Sequence, residues 1–226
     1  MAQPEIKLYG MLFSPFVRTV MGFMRLHSIP FQLEEIDTAK GQNKTPEYLA
    51  INPKGQVPAI VEGDFKLGDS TAIIQYLAES RGISNNWWPQ DVKERALMVS
   101  YLHWHPGAIG MKIRTYVFRT VVGPRFLKMT FSEEEVKTAR DECAEAMEKV
   151  NQMLSSGKCI AGTSDPSTAD LVLLSGIQQL VVMARYDISS FSALQEWYNR
   201  LSDIDGIRSV QEELLQAIQA MASPTN

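Results

Sequence analysis

Apolar positions in the first third of the chain change period several times. Ile6 to Tyr9 alternates as a short strand that stops at Gly10. Pro15 to Leu26 shifts to helical spacing, with Val17, Val20, Met21 and Met24 on one stripe. Pro15 suits a first helical turn, where its missing N–H has no partner to lose. Phe31 to Ile36 alternates again, and Thr45 to Leu49 reads as a short helical turn. Val57 to Val61 is a third strand and Phe65 to Leu67 a fourth, joined by the hairpin turn Glu62-Gly63-Asp64. Ser70 to Glu79 returns to helical spacing, with Ile73, Ile74 and Leu77 as its apolar face. The predicted order is β-α-β-α-β-β-α.

Strand patterns then stop. Gly82, Asn85, Asn86 and Pro89 mark a linker. Beyond it, Asp91 to Val122, Ser132 to Leu154, Ser167 to Ala184, Ser192 to Leu201 and Ile207 to Met221 all read as helices. Ser132-Glu133-Glu134-Glu135 and Ser167-Thr168-Ala169-Asp170 have the form of capping boxes. The predicted layout is a small α/β domain over 1–82, a linker over 83–90 and an all-helical domain over 91–222. The tail from Ser223 reads as loose.

Composition narrows the class. Hydrophobic residues make up 45% and charged residues 21%, ordinary for a globular protein. The 22 basic residues are outnumbered by 26 acidic ones, which argues against a nucleic-acid binder relying on a global positive field. A local pocket for a small anion stays open. Two cysteines, Cys143 and Cys159, favour a reducing compartment. The first residues carry an acid and no apolar run, unlike a signal peptide, and no stretch is apolar enough to span a membrane. A cytoplasmic protein without membrane partners is expected.

Three places carry candidate chemistry. Ser14 stands between a strand and a helix, where backbone N–H groups and the helix dipole favour an anion such as a thiolate. It is equally readable as a plain helix cap. Pro58 falls inside a predicted strand, where it cannot donate to the ladder. A cis Val57–Pro58 bond would turn the Val57 backbone outward to meet an extended peptide; a trans proline opening the strand is the other reading. Asp69 and Ser70 open a helix with an acid and a hydroxyl, enough to hold an ammonium and a carboxylate, or merely to cap.

Together these motifs resemble the cytosolic glutathione transferases over nearly the whole chain. The resemblance runs through Leu8-Tyr9, Ser14-Pro15-Phe16-Val17-Arg18, Asn52-Pro53-Lys54-Gly55-Gln56-Val57-Pro58-Ala59 and Asp69-Ser70-Thr71-Ala72-Ile73 with Tyr76-Leu77. It continues in Ala161-Gly162 and Ser167-Thr168-Ala169-Asp170. Trp87 to Asp91 and Tyr101 to His105 look most like the theta class, with delta and phi close by.

The resemblance implies a thioredoxin-like first domain, a serine-type enzyme and glutathione as co-substrate. Ser14 would donate a hydrogen bond to the glutathione thiolate. The thiolate is the nucleophile, and a free thiol near pKa ~8.5 is mostly protonated at neutral pH. Val57 would pair its backbone with the cysteinyl residue, next to Pro58. Asp69 and Ser70 would hold the γ-glutamyl end, and Asn43, Lys54 or Gln56 the glycyl carboxylate. Asp69 stands where the family usually has Glu or Gln, Asn43 where theta members often have histidine, and Gly110 where they have arginine.

The acceptor site would involve Phe13 with Ile109, Lys112 and Tyr116, which share one helical face at i, i+3 and i+7. That face reads equally as a packing stripe. Pro106 and Gly107 predict a kink. His103 and His105 point to opposite sides of a helix and cannot share a metal, and Trp104 reads as core. The implied activity is conjugation of glutathione to small hydrophobic electrophiles, with peroxide reduction as a side activity and a homodimer as the working form. A noncatalytic binding or structural relative is the main alternative. Isomerisation with glutathione as cofactor is disfavoured, because the serine-cysteine loop of zeta members is missing.

Overall fold

The structure, a computed structural model, describes residues 5–222. The tail from Ser223 lies outside the described residues. Four strands form one mixed sheet in the order β2-β1-β3-β4. β1 (Ile6–Gly10) pairs in parallel with β2 (Phe31–Glu35), with Leu8 opposite Leu33. Parallel strands need a crossover, and α1 (Pro15–Leu26) supplies it. β3 (Ala59–Glu62) and β4 (Phe65–Gly68) add antiparallel neighbours. Gly63 sits at φ 59° in the tight turn between them, a conformation glycine adopts without penalty. α2 (Pro46–Leu49) and α3 (Ser70–Ser80) complete the predicted order. β3 begins two residues later than its sequence pattern suggests. Pro58 has no N–H for the ladder, and the Val57–Pro58 peptide is cis.

α1 is covered on both sides. It lies between the sheet-bearing part, packing on α3, and two helices of the second half, α8 (Thr168–Gln178) and α10 (Asp205–Ala222). Val17, Val20, Phe23 and Met24 are consequently 0% exposed. Each such side chain contributes about 2 kcal/mol through burial. A single hydrophobic cluster runs from Leu8 and Ile60 in the sheet to Leu171 and Leu174 on α8.

The helical half starts with α4 (Val92–His105), capped by Asp91. The single helix predicted over Asp91 to Val122 is instead interrupted twice. A π-helical turn at Pro106–Gly110 follows α4, then α5 (Met111–Val117), a second π turn at Phe118–Val122, and α6 (Gly123–Phe126). The expected kink thus takes the form of a widened turn. Each such turn holds an extra residue and rotates the following side chains by roughly 100°. α7 (Glu133–Leu154) and α8 begin with the two predicted capping boxes, both formed. A third π turn covers Gln179–Met183, before α9 (Ser192–Ser202) and α10. Trp104 departs from expectation: it is 36% exposed, with the Lys149 ammonium 5.0 Å from its ring centre. No helix among the described residues is long and apolar enough to cross a membrane.

Asp170 ties α8 to α9 and to the segment that precedes α8. It is 0% exposed and accepts four hydrogen bonds. They come from the Ile160 N–H, the Trp197 indole N–H, and the Ser167 N–H and hydroxyl. Next to it the Thr168 hydroxyl donates to the Trp87 carbonyl at 2.6 Å, which fixes the linker to α8.

Candidate active site

Ser14 caps α1 with extended backbone, φ −79° and ψ 122°. Its oxygen accepts a long bond of 3.4 Å from the Val17 N–H. Its own O–H donates to no described residue. The oxygen caps, and the proton remains available. Gly10 allows this loop to lie close, since a Cβ there would fall 2.4 Å from Val17.

Ser14 lines a cleft of about 930 Å³ between the sheet-bearing part and the helical half. The first part contributes a polar wall that includes Asn43, Gln56, Val57, Asp69 and Ser70. The helical half contributes apolar side chains, among them Leu102, Val122, Phe126 and Met183. Phe13 belongs to the cleft and leans on Phe126, ring centres 6.3 Å apart.

The polar wall is held open by the chain's own bonds. The Gln56 carbonyl accepts from the Tyr48 hydroxyl at 2.6 Å and from the Asn52 amide at 2.7 Å. This pins the residue before Val57, whose backbone N–H and carbonyl have no hydrogen bond to a described residue. An extended ligand can pair there. Asn43 donates to the Gly55 carbonyl at 2.7 Å, with Lys44 at 3.3 Å from the same oxygen. Asp69 Oδ1 caps α3 by accepting from Thr71 and Ala72 N–H groups and from the Thr71 hydroxyl. Its Oδ2 has no hydrogen bond to a described residue, and Asp69 lines the cleft. Asp69 sits at φ 86°, costly for a residue with a side chain and a kind of strain that clusters at functional sites. Ser70 beside it is buried, with no described partner for its N–H or hydroxyl.

Behind Ser14 stands Arg18, 1% exposed. It donates to the Leu12 carbonyl in the Ser14 loop and to the Ser175 carbonyl on α8, both at 2.9 Å. Burial pulls its guanidinium down to about 9, which still leaves it charged at neutral pH. The sequence placed Arg18 only inside a motif. A lysine has one nitrogen for two carbonyls on different elements, so Arg18→Lys should free the loop. We expect turnover at this site to fall about tenfold, the scale of one lost charge-assisted bond, with ligand affinity nearly unchanged. Steady-state kinetics would check it, and wild-type turnover would rule out a positioning role.

Other sequence candidates fall elsewhere. Lys54 is exposed and does not line the cleft; Lys44 takes the place nearest Asn43. Ile109 and Tyr116 are 1% and 8% exposed and belong to the core, and Lys112 turns away to pair with Glu145 on α7 at 3.2 Å. Ile109 and Tyr116 join Ile113 and Val117 in the packing stripe that the same spacing also allowed. His105, Arg114 and Gln179 line the cleft instead. Among the described residues no three histidine, cysteine or acidic side chains are grouped as metal ligands. His103 is exposed and His105 buried.

Comparison with known proteins accounts for this arrangement. The model of the glutathione S-transferase N-terminal domain matches residues 8–85. Glutathione S-transferase T1 of Arabidopsis thaliana is 31% identical over 85% of this chain and 81% of its own length. Human glutathione S-transferase theta-2 is 30% identical over 92% and 84%. The solved structure of human glutathione transferase theta-2 with glutathione and an unknown ligand superposes with a TM-score of 0.86, at 26% identity, over 97% of this chain and 93% of that one. A human theta-class enzyme bound to the glutathione conjugate of 1-menaphthyl sulfate also gives 0.86, at 26% identity, over 95% and 89%. With its thioredoxin-like sheet, its helical second half and these relatives, the chain belongs to the glutathione S-transferase family.

Proposed function

We propose that this enzyme conjugates the thiolate of glutathione to small hydrophobic electrophiles, with reduction of organic peroxides as a side activity. The observation that carries the reading is the unspent hydroxyl proton of Ser14 at a helix start, in a cleft polar on one wall and apolar on the other. Glutathione lies extended along the polar wall. Its cysteinyl amide pairs with Val57 beside Pro58, its γ-glutamyl end meets Asp69 and Ser70, and its glycyl carboxylate meets Asn43, Lys44 and Gln56. The thiol then falls at Ser14, and the electrophile occupies the apolar wall near Phe13. A human theta-class structure that holds a glutathione conjugate supports glutathione as the ligand of a cleft in this fold. Each group needed for binding is present, which disfavours a noncatalytic relative.

On this reading residues 1–82 bind glutathione, 83–90 link and 91–222 shape the acceptor site. The enzyme works in the cytoplasm as a homodimer, and the exposed Val92, Leu97 and Met111 on α4 and α5 are consistent with a covered helical face. An activity panel of aryl halides, epoxides, isothiocyanates and hydroperoxides with glutathione tests the reading. Tight glutathione binding with no turnover on any of them would favour a binding protein.

Asp69→Asn separates charge from capping. Asparagine caps a helix and tolerates positive φ, so α3 should survive. The ammonium loses its counter-ion, and we expect the glutathione Kd to rise about tenfold, or ~1.4 kcal/mol. Calorimetric titration reads it directly; an unchanged Kd removes Asp69 from the ammonium site.

A further inference from the structure

The apolar wall contains three polar side chains that glutathione binding does not use, His105, Arg114 and Gln179. His105 ends α4 and is 6% exposed. Its Nδ1 lies 3.0 Å from the hydroxyl of Tyr101, one turn earlier. Tyr101 is 5% exposed, and burial holds its phenol protonated far above the usual range. Among the described residues that proton has one acceptor, His105 Nδ1. A ring nitrogen that accepts carries no proton, so the neutral imidazole carries its own on Nε2. Burial, aided by the charge of Arg114, brings His105 down to about 4, so the ring is neutral at working pH. Nε2 lies 3.0 Å from where a side chain on Gly110 would begin, and glycine leaves the ring its room. Nε2 has no hydrogen-bond partner among the described residues, and His105 lines the cleft.

Arg114 lines the same wall. Its guanidinium stands 5.4 Å from the centre of the Phe16 ring and reaches the Pro106 carbonyl at 3.4 Å. It forms no ion pair with a described carboxylate. A cation without a carboxylate partner and a neutral N–H donor thus share a mostly apolar wall.

We propose that His105 and Arg114 form a leaving-group subsite: the His105 Nε2–H donates to the atom that departs as an anion, and Arg114 supplies the countercharge. The proposal rests on the conjugation reading. The subsite matters most when the departing atom is a basic oxygen. With an organic hydroperoxide, the thiolate sulfur attacks the terminal oxygen, the S–O bond forms and the O–O bond breaks. Its electron pair leaves on the alkoxide, which takes a proton from water. The sulfur is oxidised to a sulfenic acid and the peroxide is reduced. A second glutathione thiol then displaces water to give the disulfide. His105 keeps its proton and only hydrogen-bonds the alkoxide. With an alkyl chloride, a C–S bond replaces C–Cl, and chloride is a weak acceptor that gains little.

The test compares kcat for cumene hydroperoxide and 4-nitrobenzyl chloride at saturating glutathione. For His105→Phe and Arg114→Gln the hydroperoxide rate should fall about 30-fold and the chloride rate less than about threefold, with Arg114→Lys retaining most of the hydroperoxide rate. Equal losses, or none, overturn the subsite alone. No turnover by the wild type on either substrate overturns it together with the conjugation reading. Nitrogen-15 spectra of the intact protein give a second readout, the protonation state that the subsite requires. His105 should carry its proton on Nε2 and not titrate around neutral pH, and Tyr101→Phe should release that tautomer. A proton on Nδ1 in the wild type, or titration at the ordinary histidine value, overturns the proposal even if His105→Phe does not fold.

Discussion

Ser14→Ala is expected to lower kcat/KM for conjugation about 100-fold at neutral pH while changing the glutathione Kd only a few-fold. The hydroxyl proton of Ser14 is its one unspent donor, and a thiolate at the helix start is the acceptor that matches it. A donor aimed at developing charge contributes about 10²–10³ in rate when it is removed. Linkage alone gives about 25-fold, the change in thiolate fraction at pH 7 when the pKa moves from about 8.5 to about 6.5. Lowering a thiol pKa by about two units needs about 2.7 kcal/mol of preferential stabilisation of the anion. The pH profile supplies the sharper evidence. The wild-type rate should level off near neutral pH, whereas the alanine variant should keep climbing toward the pKa of free thiol, about 8.5. Alanine also removes a cap, but the Val17 bond is long, so the loss of stability should stay near 0.5–1 kcal/mol. Matching pH profiles for the two proteins would leave Ser14 as a cap and nothing more.

The largest effect on stability should come from Asp170→Ala. Its carboxylate accepts from two backbone N–H groups, an indole and a hydroxyl, all inside the helical half. Burial pushes this carboxyl upward, and the four donors oppose the shift. Removing it leaves three N–H donors without partners, each costing about 1–3 kcal/mol before relaxation. We expect a loss of about 4 kcal/mol, or roughly 10 °C in Tm for a chain of this size. Asp170→Asn should be nearly as harmful, because an amide offers one acceptor and turns two of its own protons toward donors. Thermal melts of the three proteins decide this. A change below about 1 kcal/mol would show that water replaces the carboxylate without cost.

The strands and helices of the sheet-bearing part were legible because the period switches between 2 and 3.6 at visible breakers such as Gly10, Pro15 and Gly63. Both capping boxes were legible for a similar reason, since Ser132–Glu135 and Ser167–Asp170 are local and side-chain encoded. The acceptor wall was not. A π turn has no residue signature of its own, and Pro106 signals an irregularity without saying which way the face rotates. Spacing alone could not tell the packing stripe of Ile109 and Tyr116 from a ligand face, nor show that His105 and Arg114 line the cleft. Arg18 was hidden for another reason: its acceptor on Ser175 lies 157 residues away, and no spacing rule connects them.

That long-range bond bears on how such proteins diversify. The Ser14 loop is anchored to a carbonyl that only the second half provides, and α1 is buried as much by α8 and α10 as by its own neighbours. A fragment ending at the linker would expose a wet apolar helix and a stranded guanidinium. Exchange of halves between relatives would succeed only when Arg18 and the α8 backbone arrive as a matched set. Shuffling by recombination is thus constrained at the seam, while the acceptor wall, which depends on turns within the second half, is free to drift.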